Sequence, residues 1–124
     1  MIKLKYNEQG LIPVIAQDAE NGDILMMAWM NEEAFKRTCQ TRKATYWSRS
    51  RQSFWIKGES SGHTQDVESM YYDCDKDTLL IKIRQTGAAC HKGYRSCFFT
   101  KINFDGTSEV QGKPLVNPDK IYKK

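Results

Sequence analysis

Cys74, Cys90, His91 and Cys97 are the side chains of this chain best suited to chemistry, because thiolate and imidazole are the donors that hold zinc. Cys90 follows Cys74 by sixteen residues and Cys97 comes seven further on, with no C-x-x-C pair anywhere. That spacing argues against a zinc ribbon, a RING or a thioredoxin-like redox site. A structural zinc site is closed by four protein ligands, whereas a catalytic one keeps a position open for water. Three cysteines from loops beside a histidine suit the second arrangement. Zinc bound in this way lowers the pKa of its water to about 7, giving a hydroxide nucleophile at neutral pH. His91 directly follows Cys90, so its joining the same tetrahedral ion would strain the backbone, and a nearby general acid or base is the better role. The competing reading is a set of buried thiols that bind nothing, since free cysteine is a common core residue. Cys39, remote from the others, reads as a core thiol.

Asp73, Asp75 and Asp77 form a second constellation. Residues at i, i+2 and i+4 fall on one side of an extended segment, so three carboxylates can converge on a hard cation such as Mg²⁺, while Cys74 points the other way. The likeness to the opening of an EF-hand fails, because Thr78 stands where the glycine belongs and Arg84 where the bidentate glutamate belongs. An acidic turn between strands is the alternative. A third group comprises Ser48, Arg49, Ser50 and Arg51, with Lys57 and the loop from Gly58 to Gly62 that contains Ser61. Guanidinium groups, hydroxyls and glycine amides make a phosphate cradle, and Trp47 and Trp55 flank it where they could stack on a base. An exposed strand with arginines and core aromatics would look the same.

The elements that must position these residues are mainly strands. Leu11 to Ala16 and Ile24 to Met30 are apolar runs of strand length, and Asn21-Gly22 between them is a hairpin signal. Asn31 reads as the N-cap of a helix from about Glu32 to Thr41 that buries Ala34, Phe35 and Cys39, with Glu32 and Glu33 at the positive end of its dipole. Ala44 to Ser50 and Ser53 to Lys57 read as strands, as do Asp66 to Tyr72, Thr78 to Gln85 and a stretch around Cys97 to Phe104. Leu80, Ile81 and Ile83 interleave with Lys82 and Arg84, the pattern of a half-buried strand. From Gly106 the chain is polar, carries Pro114 and Pro118, and reads as a loosely held tail. With no repeat and no linker, this is one mainly β (α+β) domain spanning 1–124, its core at about 11–104.

A chain of 124 residues with 40% hydrophobic and 27% charged residues is ordinary for a globular domain. No run is apolar enough for a membrane span, and the N-terminus lacks the apolar region of a secretory signal. The expected compartment is therefore the cytoplasm, where thiols stay reduced. The net charge of +4 fits an anionic partner, either nucleic acid or a small phosphorylated molecule.

The segments MMAWMNEEAF, YWSRSR, WIKGESSG, DCDKDTLL and QTGAACHKGYRSCF, in this order and spacing, closely resemble the phosphoribosyl-AMP cyclohydrolases of histidine biosynthesis. The resemblance extends from about Leu11 to Phe104. It implies hydrolysis of the purine ring of 1-(5-phosphoribosyl)-AMP between N1 and C6 by zinc-bound hydroxide, giving the phosphoribosyl-formimino-AICAR-phosphate intermediate. It further implies Cys74, Cys90 and Cys97 as ligands of one zinc per subunit, with Cys74 donated by the partner chain of an intertwined homodimer. Asp73, Asp75 and Asp77 become Mg²⁺ ligands and His91 the proton shuttle. Arg49, Arg51, Trp55, Lys57 and Ser61 become substrate-binding residues, and neither nucleic acid nor membrane is an expected partner. Lys92 departs from the threonine expected there. The chain also ends soon after this region, so ring opening alone is expected of it. A zinc-stabilised nucleic-acid-binding module would explain the basic cluster and the tryptophans, yet it leaves three aspartates that would repel phosphates. A thiol redox protein would need the absent C-x-x-C pair.

Overall fold

The computed structural model describes residues 2–59 and 61–116. Its main body is a four-stranded sheet in the order β2-β1-β6-β5, where β1 is Ile12–Asp18, β2 Ile24–Met30, β5 Gln65–Tyr72 and β6 Leu79–Gln85. β1 pairs antiparallel with β2 and parallel with β6, and β5 runs antiparallel to β6. The period of two puts Ile12, Val14 and Ala16 of β1 and Leu79, Ile81 and Ile83 of β6 on the covered face, all fully or nearly fully buried. Each buried Val, Leu or Ile contributes roughly 1.5–3 kcal/mol. Five of these, with Ala16, lie side by side on the two central strands and make this face the centre of the core.

The β1–β2 connection is a compact turn. Asp18 accepts from the amides of Glu20 and Asn21, and Gly22 takes φ +82, which glycine adopts without strain. Asn31 caps α1 (Glu32–Thr41), its Oδ1 accepting from the Ala34 amide at 2.8 Å. The helix buries Ala34 and Thr38, and Phe35 packs half-buried against the core. Cys39, expected in the core, is exposed instead. It lies one residue beyond Thr38, about 100° around the helix, and so falls outside the covered stripe. Thr38 is tolerated inside because its hydroxyl donates to Ala34 O and accepts from the Thr45 amide.

β3 (Thr45–Ser48) and β4 (Ser53–Ile56) form a separate hairpin that lies against β2 and α1. Tyr46 of β3 is fully buried, and its ring lies 4.8 Å from that of Trp55 on β4. Its hydroxyl donates to Gln65 Oε1 at 2.6 Å, and Gln65 Nε2 donates in turn to Gln85 Oε1. Gln85 Nε2 then reaches the carbonyls of His63 and Thr64, so one largely buried polar chain ties the hairpin, the start of β5, the end of β6 and the loop before β5 together. Burial pushes the Tyr46 phenol far above its ordinary pKa, and it stays a neutral donor.

The strand expected around Cys97 to Phe104 is shorter, β7 (Thr100–Ile102), and it pairs with β8 (Ser108–Val110). The stretch from Gly106, expected to be loosely held, thus contributes a strand, and Leu115 and Val116 donate their amides to Gly93 O. Polar composition did not reveal those attachments because they are made by backbone groups, which every sequence carries. Pro118 and the rest of 117–124 lie outside the described residues.

Candidate active site

The loop after β6 carries Cys90, His91 and Cys97 and folds back on itself through Ala89 N to Arg95 O and Cys90 N to Tyr94 O. Two ties hold it against the end of β1 and the start of β2. The Cys97 amide donates to Leu25 O at 2.7 Å, and Arg95 pairs with Asp18 at 2.5 Å. Asp18 sits below the ordinary carboxylate range. Burial works against that, but the Glu20 and Asn21 amides and the Arg95 guanidinium outweigh it. Cys90 is buried, and its Sγ accepts from the Lys92 amide at 3.4 Å. Cys97 is an exposed residue, yet the surrounding protein covers its thiol enough that burial, and then the neighbouring Cys90, push it up to about 11. A soft divalent cation would have to displace protons here, as thiolate sites require.

Cys74 is not with them. It lies in the turn between β5 and β6, where Asp73 N donates to Thr78 O, next to Leu79 at the start of β6. Cys97 is tied to Leu25, which lies between the Ile24–Gln17 and Met26–Ala16 pairs, at the level of Ile81 and Lys82 of β6. From Leu79 that level is ~7–10 Å along the strand, and β2 lies two strand spacings, ~10 Å, across the sheet from β6. Thiols on one tetrahedral zinc, at ~2.3 Å from the metal, lie less than ~4 Å apart. Among the described residues the three cysteines of one chain therefore do not converge on one point, and Cys90 and Cys97 stand together apart from Cys74.

Asp73, Asp75 and Asp77 converge, with one oxygen from each within 4.8 Å of the others. Asp73 accepts from the Asp77 amide at 3.1 Å, and this bond with those of Thr78 outweighs the small effect of burial to hold its carboxyl low. Asp77 is raised by its hydrogen bond to Asp73 and by the charges of Asp73 and Asp75. Three crowded, exposed carboxylates form a donor set that suits a hard cation with oxygen ligands.

Beside the cysteine loop opens a cleft of about 610 Å³, lined among others by Arg51, Trp55, Lys57, Ser61 and His91. Four residues singled out on chemical grounds in the stretch 51–61 thus share one concavity with His91 of the cysteine loop. Arg49 is not among its lining residues; its guanidinium sits over the Trp29 ring, 4.7 Å from the centroid. Trp47 packs edge-on against Phe54 at 4.9 Å. Lys57 Nζ donates to Ala89 O at 2.5 Å, and burial draws its pKa below the usual lysine value against the pull of the Cys97 and Cys90 thiols. His63 was not singled out by the sequence, yet its Nδ1 accepts from the Ala88 amide at 2.8 Å. Only its place in a glycine-flanked loop marked it, a signal too weak to act on.

Fold and cleft together describe a small mainly β domain whose cleft sets cations, hydroxyls and an indole beside two neighbouring thiols and an exposed imidazole. The model of the phosphoribosyl-AMP cyclohydrolase family matches residues 26–99, more than half of the chain. The phosphoribosyl-AMP cyclohydrolase of Ruegeria sp. (strain TM1040) is 65% identical over 107 residues, covering 86% of this chain and 83% of its own length. That of Dinoroseobacter shibae is 58% identical over 113 residues (91% and 94%), and that of Pelotomaculum thermopropionicum 53% over 121 residues (98% and 94%). The chain belongs to the phosphoribosyl-AMP cyclohydrolase family.

Proposed function

We propose that this protein opens the purine ring of 1-(5-phosphoribosyl)-AMP by hydrolysis between N1 and C6, a step of histidine biosynthesis that gives the phosphoribosyl-formimino-AICAR-phosphate intermediate. The observation that carries the reading is the shared cleft, where cation, hydroxyl, indole and imidazole face one space beside Cys90. The substrate has two phosphates and one purine. Arg51 and Ser61 offer charge-assisted and hydroxyl hydrogen bonds for a phosphate, and the Trp55 indole offers a face to the base.

Ribosylation at N1 makes the six-membered ring an electron-poor amidinium, so C6 is open to attack by water. As the N1–C6 bond breaks, N1 takes its electron pair and needs a proton. His91, exposed on the cleft wall, is placed to give one as imidazolium and to recover it from the attacking water. The donor set fits zinc when Cys90 and Cys97 of one subunit are joined by Cys74 of the partner subunit, which is why we infer an intertwined homodimer. Zinc held there supplies Lewis acidity that makes water a competent nucleophile near neutral pH. Asp73, Asp75 and Asp77 suit Mg²⁺, which would offset their charge beside Cys74 and favour approach of the phosphates.

The test is to incubate the purified protein with phosphoribosyl-AMP and follow the absorbance change of ring opening, with and without a zinc chelator. Turnover that the chelator abolishes and added zinc restores supports the reading. A folded, zinc-loaded dimer without turnover overturns it and favours a nucleic-acid-binding role for the basic cleft.

A further inference from the structure

We propose that Lys57 and His63 are positioning residues that fix the Cys90 loop from the cleft wall, Lys57 by donating to the Ala89 carbonyl and His63 by accepting from the Ala88 amide. This rests on the proposed function, because the loop so held carries Cys90 and His91.

Both contacts are long-range, joining residues 32 and 25 positions apart in the chain, and they fall on consecutive residues just before Cys90. Ala88, Ala89 and Cys90 are all buried, so the peptide groups there need partners from the protein. The two side chains come from the end of β4 and the loop before β5, outside the cysteine loop itself. His63 Nδ1 lies 2.8 Å from the Ala88 amide, which can only donate to it, and 3.1 Å from the Ala88 carbonyl, so both polar groups of that residue face the ring nitrogen. The ring is seated against Gly87, whose φ is +72 and where an added Cβ would lie 2.8 Å from His63 Nδ1. A bare glycine is therefore what lets the imidazole reach the next amide.

Lys57 differs from a simple phosphate ligand in the same way. One of its three donors is committed to the protein backbone, and its ammonium stands between the cleft and the cysteine loop. Outer partners that bond the backbone beside a ligand in this way orient the ligand they hold. The cleft wall that receives substrate and the loop that bears Cys90 are thereby one connected unit.

Zinc affinity by chelator competition, measured on the dimer together with kcat and KM, separates the roles. Lys57→Met and His63→Phe are each expected to weaken zinc binding by about 10–100-fold. In zinc-saturated enzyme both should lower kcat while KM stays within about threefold of wild type, because the defect lies in ligand geometry rather than substrate binding. Lys57→Arg, which keeps a cation and a donor, should recover most of the zinc affinity, and it serves as the probe if Lys57→Met does not fold. Wild-type zinc affinity in Lys57→Met with KM raised tenfold or more would overturn the proposal for Lys57 and make it a phosphate ligand. Wild-type zinc affinity in His63→Phe would overturn it for His63. Those results leave the ring-opening reading standing, whereas a wild-type protein that binds no zinc would remove both.

Discussion

Mixing two inactive variants tests the division of the zinc site between subunits. Cys74→Ala and Cys97→Ala each remove one thiol from every site of a homodimer, so each alone should be inactive. In a heterodimer of the two, one site draws Cys74 from the Cys97→Ala chain and Cys90 and Cys97 from the Cys74→Ala chain, and is complete. The other site lacks both thiols. A two-fold interface makes the exchange reciprocal, so random reassortment of equal amounts gives about half heterodimers with one working site in two, or about a quarter of the wild-type rate per subunit. The basis is the ~7–10 Å along the sheet and ~10 Å across it that separate the start of β6, beside the Cys74 turn, from the place where Cys97 is tied, against less than ~4 Å between thiols on one metal. The assay is ring opening of phosphoribosyl-AMP after the differently tagged variants are unfolded together, refolded with zinc and purified through both tags. On tag-purified heterodimer the expected value is about half the wild-type rate. Heterodimers that are folded, zinc-supplied and inactive would refute the shared site, since a site built within one chain is broken in both subunits.

Three further outcomes are expected. His91→Ala should keep its zinc by chelator competition and lose about 10²–10⁴-fold in kcat, the usual contribution of a positioned proton donor; unchanged kinetics would remove that role. Tyr46→Phe should cost about 1–3 kcal/mol in urea unfolding, because the buried Gln65 Oε1 loses its phenol donor at 2.6 Å, and a loss below ~0.5 kcal/mol would show the network to be dispensable. The lowered Asp18 pKa means that its stabilisation is fully present above the unfolded carboxylate value of ~3.9 and is lost as pH falls through the lower folded value. Asp18→Asn should therefore reduce stability at pH 7 and narrow the gap to wild type in acid, and a gap independent of pH would contradict this.

Much of the fold was legible in the sequence because its signals are local. The Ile24–Met30 run, the Asn31 cap, the helix from Glu32 to Thr41 and the alternation in β6 each follow from neighbours a few residues apart, and the structure has them with those bounds or close to them. The aspartate trio was legible for the same reason, since alternate residues of one short turn need no distant partner to converge. Spacing on the chain also singled out Cys74, Cys90 and Cys97, yet it carried no information on which of them meet. That depends on β6 running its length between Cys74 and the other two, which only the sheet displays. Cys39 turned outward and Arg49 turned onto Trp29 because a helix rotates by about 100° per residue and a flexible side chain takes the nearest aromatic face. Lys57 and His63 on the backbone before Cys90 were invisible for a deeper reason. Their partners are a carbonyl and an amide, groups common to the whole main chain, so residue types and spacing could name the chemistry of this protein while tertiary structure alone decided what holds it in place.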